Sequence, residues 1–193
     1  MAITISGSGT ISGISAGGLP NGSVTAATLA TSAKPLFTSY ALLTDQKDDA
    51  IDGGASTANT WFKRTLNLKV VDSDNIVTLS NDEFTLGVGT YLIKFFVPNY
   101  KGNSGISQLY DVNAAAPVLT GNINMTTYSN SSYNGYQVSN NWVRYNVASG
   151  TKTFYIRNYV DTALATNGLG LNPPDNEGDH SYFTTVEILK EAE

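Results

Sequence analysis

"SYFTTVEILKEAE", residues 181–193, decides how this chain folds. Read with the two-residue period of a strand, Tyr182, Val186 and Ile188 share one face, and Phe183, Thr185 and Leu189 share the other. One apolar face packs on a core. The second, with Phe183 and Leu189 on it, needs a different cover. The same excess recurs upstream: Tyr155 and Tyr159 oppose Phe154 and Ile156, while Leu92 and Phe96 oppose Tyr91, Ile93 and Phe95. In a monomeric antiparallel sandwich the outward positions alternate as polar ones. No long capped helical pattern is present to cover them, so further copies of the chain are the simplest solution, since an obligate interface resembles a core cut in half.

Working outward, the chain from Leu36 reads as short strands separated by turn signals. Thr38, Tyr40 and Leu42 alternate with Ser39, Ala41 and Leu43. "WFKRTLNLKVV" (61–71) reads as a strand with Leu66, Leu68 and Val70 facing in. "NIVTLS" (75–80) follows a turn. In "EFTLGVGTYLIKFFVPNY" (83–100), Tyr91, Ile93, Phe95 and Val97 form the core face, and Pro98 is expected to stop the ladder. Glycine and asparagine clusters punctuate these runs, which predicts an all-β antiparallel sandwich or barrel.

Residues 1–35 differ. They hold no aromatic residue and a single charged side chain, Lys34. Small apolar islands such as Ile3 and Ile5 cannot alone offset the entropy of ordering this segment. Two readings stay open: a flexible linker, or a stalk that orders against identical chains or a docking partner. The even spacing of Leu19, Val24 and Leu29 favours the stalk. The domains expected are therefore 1–35, an attachment stalk, and 36–193, the head.

Composition excludes several classes. The net charge of −5 argues against nucleic-acid binding, which needs a basic face. No apolar run approaches a membrane span, and the start lacks the pattern of a secretory signal. Zero cysteines leave no disulfide, thiolate metal site or cysteine nucleophile. The lone histidine, His180, stands between Asp179 and Ser181, and sequence neighbours cannot form a catalytic triad. Paired carboxylates in 44–54, 72–75 and 173–179 could serve glycoside hydrolysis, but all read as solvated turns. A helix-loop calcium pattern starting at Asp48 fails at Ala50 and Asn59. An irregular calcium site from Asp45, Asp48, Asp49 and Asp52 is the weaker alternative to a solvated turn. The expectation is no enzyme, no cofactor and no metal.

"YSNSSYNGYQVSNNW" (128–142) combines tyrosine, asparagine, serine and glycine, the chemistry of adaptable binding surfaces. Tyr133, Tyr136, Asn140 and Trp142, with Asn103 and Asn172, are the receptor-binding candidates, read as loop residues. Tyr155, Tyr159, Phe183 and Leu189 are the candidates for the interface between copies, a trimer interface on the resemblance given next.

Several pieces, in this order, resemble a jelly-roll domain of bacteriophage fibre proteins, within the tumour-necrosis-factor and complement globular-head superfamily. They are Gly53-Gly54, the strand 61–68, Asn75-Ile76-Val77, Phe84-Thr85-Leu86, Gly89-Thr90-Tyr91, Lys152-Thr153-Phe154, the loop 166–170 and Val186-Glu187-Ile188. "GSVTAATLA" (22–30) is similar to short trimeric linker repeats of such fibres. The resemblance implies a ten-strand jelly roll assembled as a homotrimer, with its first and last strands in the sheet facing the three-fold axis. It further implies a virion fibre, of tail or baseplate, assembled in the host cytoplasm. Residues 1–35 would join a virion protein, and the head would contact a host-surface glycan or receptor. The alternatives are a capsid fibre or decoration protein without receptor binding, and a small surface-polysaccharide hydrolase.

Overall fold

The computed structural model describes residues 35–125, 135–172 and 179–192 of the 193. Their pairing pattern gives the architecture. Twelve strands run in chain order: β1 (Phe37–Lys47), β2 (Phe62–Lys63), β3 (Leu68–Asp72), β4 (Val77–Ser80), β5 (Glu83–Leu86), β6 (Gly89–Tyr100), β7 (Ser104–Asp111), β8 (Ala116–Thr120), β9 (Asn124–Met125), β10 (Tyr136–Val147), β11 (Lys152–Val160) and β12 (Ser181–Glu191). They form two sheets. Sheet A has the order β10-β6-β12-β1-β3, and sheet B the order β4-β5-β11-β7-β8, with β2 on β11 and β9 on β7. Every strand pair is antiparallel.

With β3, β4 and the two-residue strands β2 and β9 set aside, eight strands remain. The first pairs with the last (β1–β12), the second with the seventh (β5–β11), the third with the sixth (β6–β10) and the fourth with the fifth (β7–β8). That nested pairing is the wound hairpin of a jelly roll. The described residues are thus all-β and antiparallel, with ten strands longer than two residues.

The alternation explains the core. Ala41, Leu43, Tyr91, Ile93, Phe95, Val97, Val186 and Ile188 point inward from sheet A. Phe84, Leu86, Leu109, Phe154 and Ile156 meet them from sheet B, all at 1% exposure or less. Phe154 stacks edge-on with Tyr145, their centroids 5.0 Å apart. Each valine, leucine, isoleucine or phenylalanine among them contributes about 1.5–3 kcal/mol by leaving water.

Three local expectations need correction. The 61–71 run is not one strand: it breaks between Lys63 and Leu68, and Val70 is exposed while Leu66 is buried. Pro98 does not stop β6, which continues to Tyr100 opposite Tyr136. The physical reason is that β12 pairs with β6 only as far as Phe96. Beyond that point β6 is an edge on that side, where a residue without an N–H is tolerated. Finally, Tyr182 points outward and is 57% exposed, whereas Phe183 and Thr184 are both buried. The alternation breaks here because the β1–β12 register shifts between Thr44 and Gln46.

Candidate functional site

The sandwich leaves two outer faces, and their side chains differ in kind. On sheet A the outward positions align across strands. Tyr40 of β1 pairs with Leu189 of β12, and Leu189 pairs with Leu92 of β6. Leu92 lies opposite Arg144, Lys94 opposite Trp142 and Phe96 opposite Asn140 on β10. Leu42 faces Val71 on β3. Trp142 is 66% exposed and Phe96 45%. Tyr40, Val71 and Val138 are exposed as well. The charges among them are already paired: Lys94 with Glu187 at 3.2 Å and Arg144 with Glu191 at 2.7 Å. The Tyr40 hydroxyl donates to Glu187 at 3.5 Å, and burial, then the nearby carboxylate, holds that phenol above its ordinary range. A shallow depression of about 340 Å³ between Phe37, Tyr40, Val71 and Leu189 marks the β3 edge. This face is broad, apolar and neutralised, the character of a surface that meets protein.

Sheet B presents something else. Tyr155, Arg157 and Tyr159 of β11 face Tyr110, Gln108 and Ile106 of β7. On the other side of β11, Lys63 pairs with Arg157. The rings form a row: Trp61 to Tyr159 at 5.7 Å and Tyr110 to Tyr155 at 5.0 Å. The Arg157 guanidinium lies 4.7 Å from the Trp61 ring and 4.2 Å from the Tyr110 ring. Lys63 stands over Tyr155 at 5.6 Å and bridges to Glu83 at 3.2 Å.

The sequence candidates redistribute over these faces. Tyr155 and Tyr159 sit on the outside of sheet B and Leu189 on the outside of sheet A, so the trimer-interface candidates occupy opposite faces. Phe183 is covered by its own chain: it is 8% exposed and packs on Gly170 so closely that a Cβ there would lie 2.2 Å from its ring. Asn140 and Trp142 are strand residues of β10 on the apolar face of sheet A, not loop residues. Tyr136 starts the same strand, stacks on Tyr100 at 5.4 Å and donates to the Leu171 carbonyl. Asn103 lies in the neighbouring turn at φ 64°, and its carbonyl accepts from Gln137 at 2.9 Å. Asn172 is 5% exposed and committed internally, accepting from Ser181 at 2.6 Å and bonded through its N–H to Asp52 at 2.8 Å. Tyr133 lies outside the described residues.

The loop 166–171 is held down by a buried cation that the sequence reading passed over. Arg64 is fully buried; its Nε donates to Thr184 Oγ1 at 2.8 Å and its Nη2 to the Leu169 carbonyl at 2.9 Å. Burial lowers its pKa to about 10, against the pull of Asp45. Burial likewise raises the Asp45 carboxyl, opposed by Lys47 at 2.8 Å. The glycines of the resemblance meet here: Gly53 donates to the Gly170 carbonyl and Leu169 to that of Gly54. A Cβ on Gly53 would lie 2.9 Å from the Leu169 carbonyl carbon, so the two loops can close only without one.

The acidic turn is dispersed over separate partners. Asp45 takes Lys47, Asp48 takes His180 at 3.4 Å, and Asp52 takes the Asn172 N–H. Among the described residues no three carboxylate or histidine groups converge as metal ligands.

No family model and no curated protein matches this chain. By structure it is similar to murine APRIL, at 13% identity over 79% of this chain and 98% of that one, with TM-score 0.49. It is similar to Eiger TNF from S. frugiperda, at 14% identity over 82% and 95%, with TM-score 0.49. It is similar also to the globular domain of zebrafish complement 1qA protein, at 14% identity over 80% and 96%, with TM-score 0.46. At these identities and scores no residue role moves onto this chain. None of the three is a viral protein, so the fibre reading rests on the sequence resemblance alone.

Proposed function

We propose that this chain is the head of a trimeric fibre, a binding module without catalytic chemistry, joined to a bacteriophage virion by residues 1–35 and contacting a host-surface glycan. The observation that carries the reading is the outer face of sheet A. Exposed Tyr40, Phe96, Val138 and Trp142 and half-buried Leu42, Leu92 and Leu189 span all its strands with their neighbours, and its charges are internally neutralised. Covering such a face with copies of itself removes more apolar surface from water than any arrangement of one chain. The number three comes from the sequence resemblance, which also puts the first and last strands at the axis; β1 and β12 lie side by side in this sheet.

With sheet A turned inward, the outer face of sheet B and the end carrying Asn103 and Tyr136 remain for a ligand. Aromatic rings beside amides suit sugars, and three-fold display turns weak single sites into useful avidity. The test is binding of the purified full chain to an array of bacterial surface glycans. Retention on the array supports the recognition head. A stable trimer that retains no glycan contradicts the glycan contact and favours the capsid-fibre or decoration reading. Release of reducing ends contradicts the absence of catalysis.

A further inference from the structure

We infer that the outer face of sheet B is a subsite for a carboxylated sugar, with Arg157 as its anion-recognising residue. The inference rests on the glycan-binding reading and sharpens it to a chemical class.

The argument starts with what holds Arg157. Its guanidinium is flanked by Trp61 at 4.7 Å on one side and Tyr110 at 4.2 Å on the other. Its Nε donates to Gln108 Oε1 at 2.8 Å, which fixes the fork in the plane. Three of its contacts are thus spent on position, and none neutralises its charge. Among the described residues Arg157 has no carboxylate within ion-pair distance, and its two terminal nitrogens make no hydrogen bond. Arg144, Lys94 and Lys63 each meet an acid. Of the three arginines, Arg144 makes an ion pair and Arg64 is sealed in the interior, which leaves Arg157 as the half-exposed one with no carboxylate at ion-pair distance among the described residues.

A pre-positioned guanidinium loses little freedom on accepting an anion, and its fork matches the two oxygens of a carboxylate. The surroundings define the rest of the ligand. Trp61 and Tyr159, 5.7 Å apart, place aromatic rings on one side of Arg157, and Tyr110 and Tyr155, 5.0 Å apart, place them on the other. Rings suit the C–H faces of a sugar, and the arginine between them suits an acid carried on it. Lys63, over the Tyr155 ring, adds positive potential although Glu83 shares it. Charge complementarity therefore selects a uronate or a sialate over a neutral hexose.

The experiment is titration calorimetry of the full chain with three acidic probes, trigalacturonate, a mannuronate trimer and a short α2,8-sialic acid oligomer, against maltotriose as the neutral control. At least one acidic probe should bind, more weakly as salt rises, and maltotriose should bind at least tenfold more weakly. Arg157→Lys should weaken the acidic probe about tenfold, because the point charge survives without the fork, and Arg157→Gln should abolish it. Both variants are checked for an unchanged melting temperature. Failure of all three acidic probes overturns the inference, as does undiminished binding by folded Arg157→Gln. Equal binding of maltotriose also overturns it, yet leaves the glycan-binding head standing. If a variant unfolds, the wild-type contrast between acidic and neutral probes still decides.

Discussion

Leu189 lies directly between Tyr40 and Leu92, paired with the first across the β1–β12 ladder and with the second across the β12–β6 ladder. All three side chains turn away from the core. The last strand thus has one face, Val186 and Ile188, sealed inside the sandwich, and another presented outward. The proposed assembly covers that outward face with neighbouring copies.

A charge placed on this face should separate the copies without unfolding them. Phe96→Arg is the substitution of choice, because Phe96 is 45% exposed in the single chain and lies outside the buried core cluster. The variant should run as a folded monomer with an unchanged far-ultraviolet dichroism spectrum, since burying an unpaired charge in an interface costs several kcal/mol. Sedimentation velocity reads the outcome.

Phe183 should behave differently. It is buried against Gly170 of its own chain, so Phe183→Ala should lower unfolding stability by about 3–5 kcal/mol. Gly170→Ala should destabilise too, since φ there is 145° and the new methyl would strike the Phe183 ring. Urea denaturation of either variant in a Phe96→Arg background removes assembly from the comparison.

Arg64 tests how the loop 166–171 is held. Arg64→Met deprives Thr184 and the Leu169 carbonyl of their donors and leaves Asp45 buried with Lys47 alone. The loss should be about 3–5 kcal/mol, and Arg64→Met with Asp45→Asn should cost less than the single change. A double-mutant cycle by urea denaturation measures the coupling.

The acid limb of stability should depend on Asp111. Burial alone would raise its carboxyl, but the Ala114 N–H, the Tyr145 hydroxyl at 2.9 Å and Lys152 at 3.7 Å outweigh it and hold the group below the usual range. A folded pKa below the unfolded value means that the unfolded chain binds the proton first. The contribution is therefore complete above about pH 4 and lost as pH falls through the folded value. Asp45, raised by burial, acts with the opposite sign, gaining stability as pH falls toward its unfolded value. Asp111→Asn should lose less stability than the parent between about pH 4 and 2, read as urea midpoints.

How much of this was legible in the sequence follows from what period-two patterning can carry. The inward rows Tyr91–Ile93–Phe95–Val97 and Phe154–Ile156 were readable because each is buried by its neighbours in the same strand register. Tyr182 and Phe183 break the two-residue alternation because β12 itself bulges there, Phe183 and Thr184 together opposing Asp45 of β1, and an extra residue in a ladder shows only once the pairing is known. Asn140 and Trp142 looked like loop residues because their composition is that of loops, yet long pairing with β6 holds them in a strand. Arg64 was invisible as a latch, since its partners Thr184 and Leu169 are more than a hundred residues away. The row around Arg157 likewise needs β2, β7 and β11 side by side before it exists.

The most direct test of the account is the mass of the full chain in solution. Static light scattering during size exclusion, at about 10 μM, should return three times the 20.5 kDa chain mass, and Phe96→Arg should return one. A monodisperse 20.5 kDa species from the parent chain would contradict the assembly through sheet A, and a stable species of twice that mass would contradict the three-fold axis.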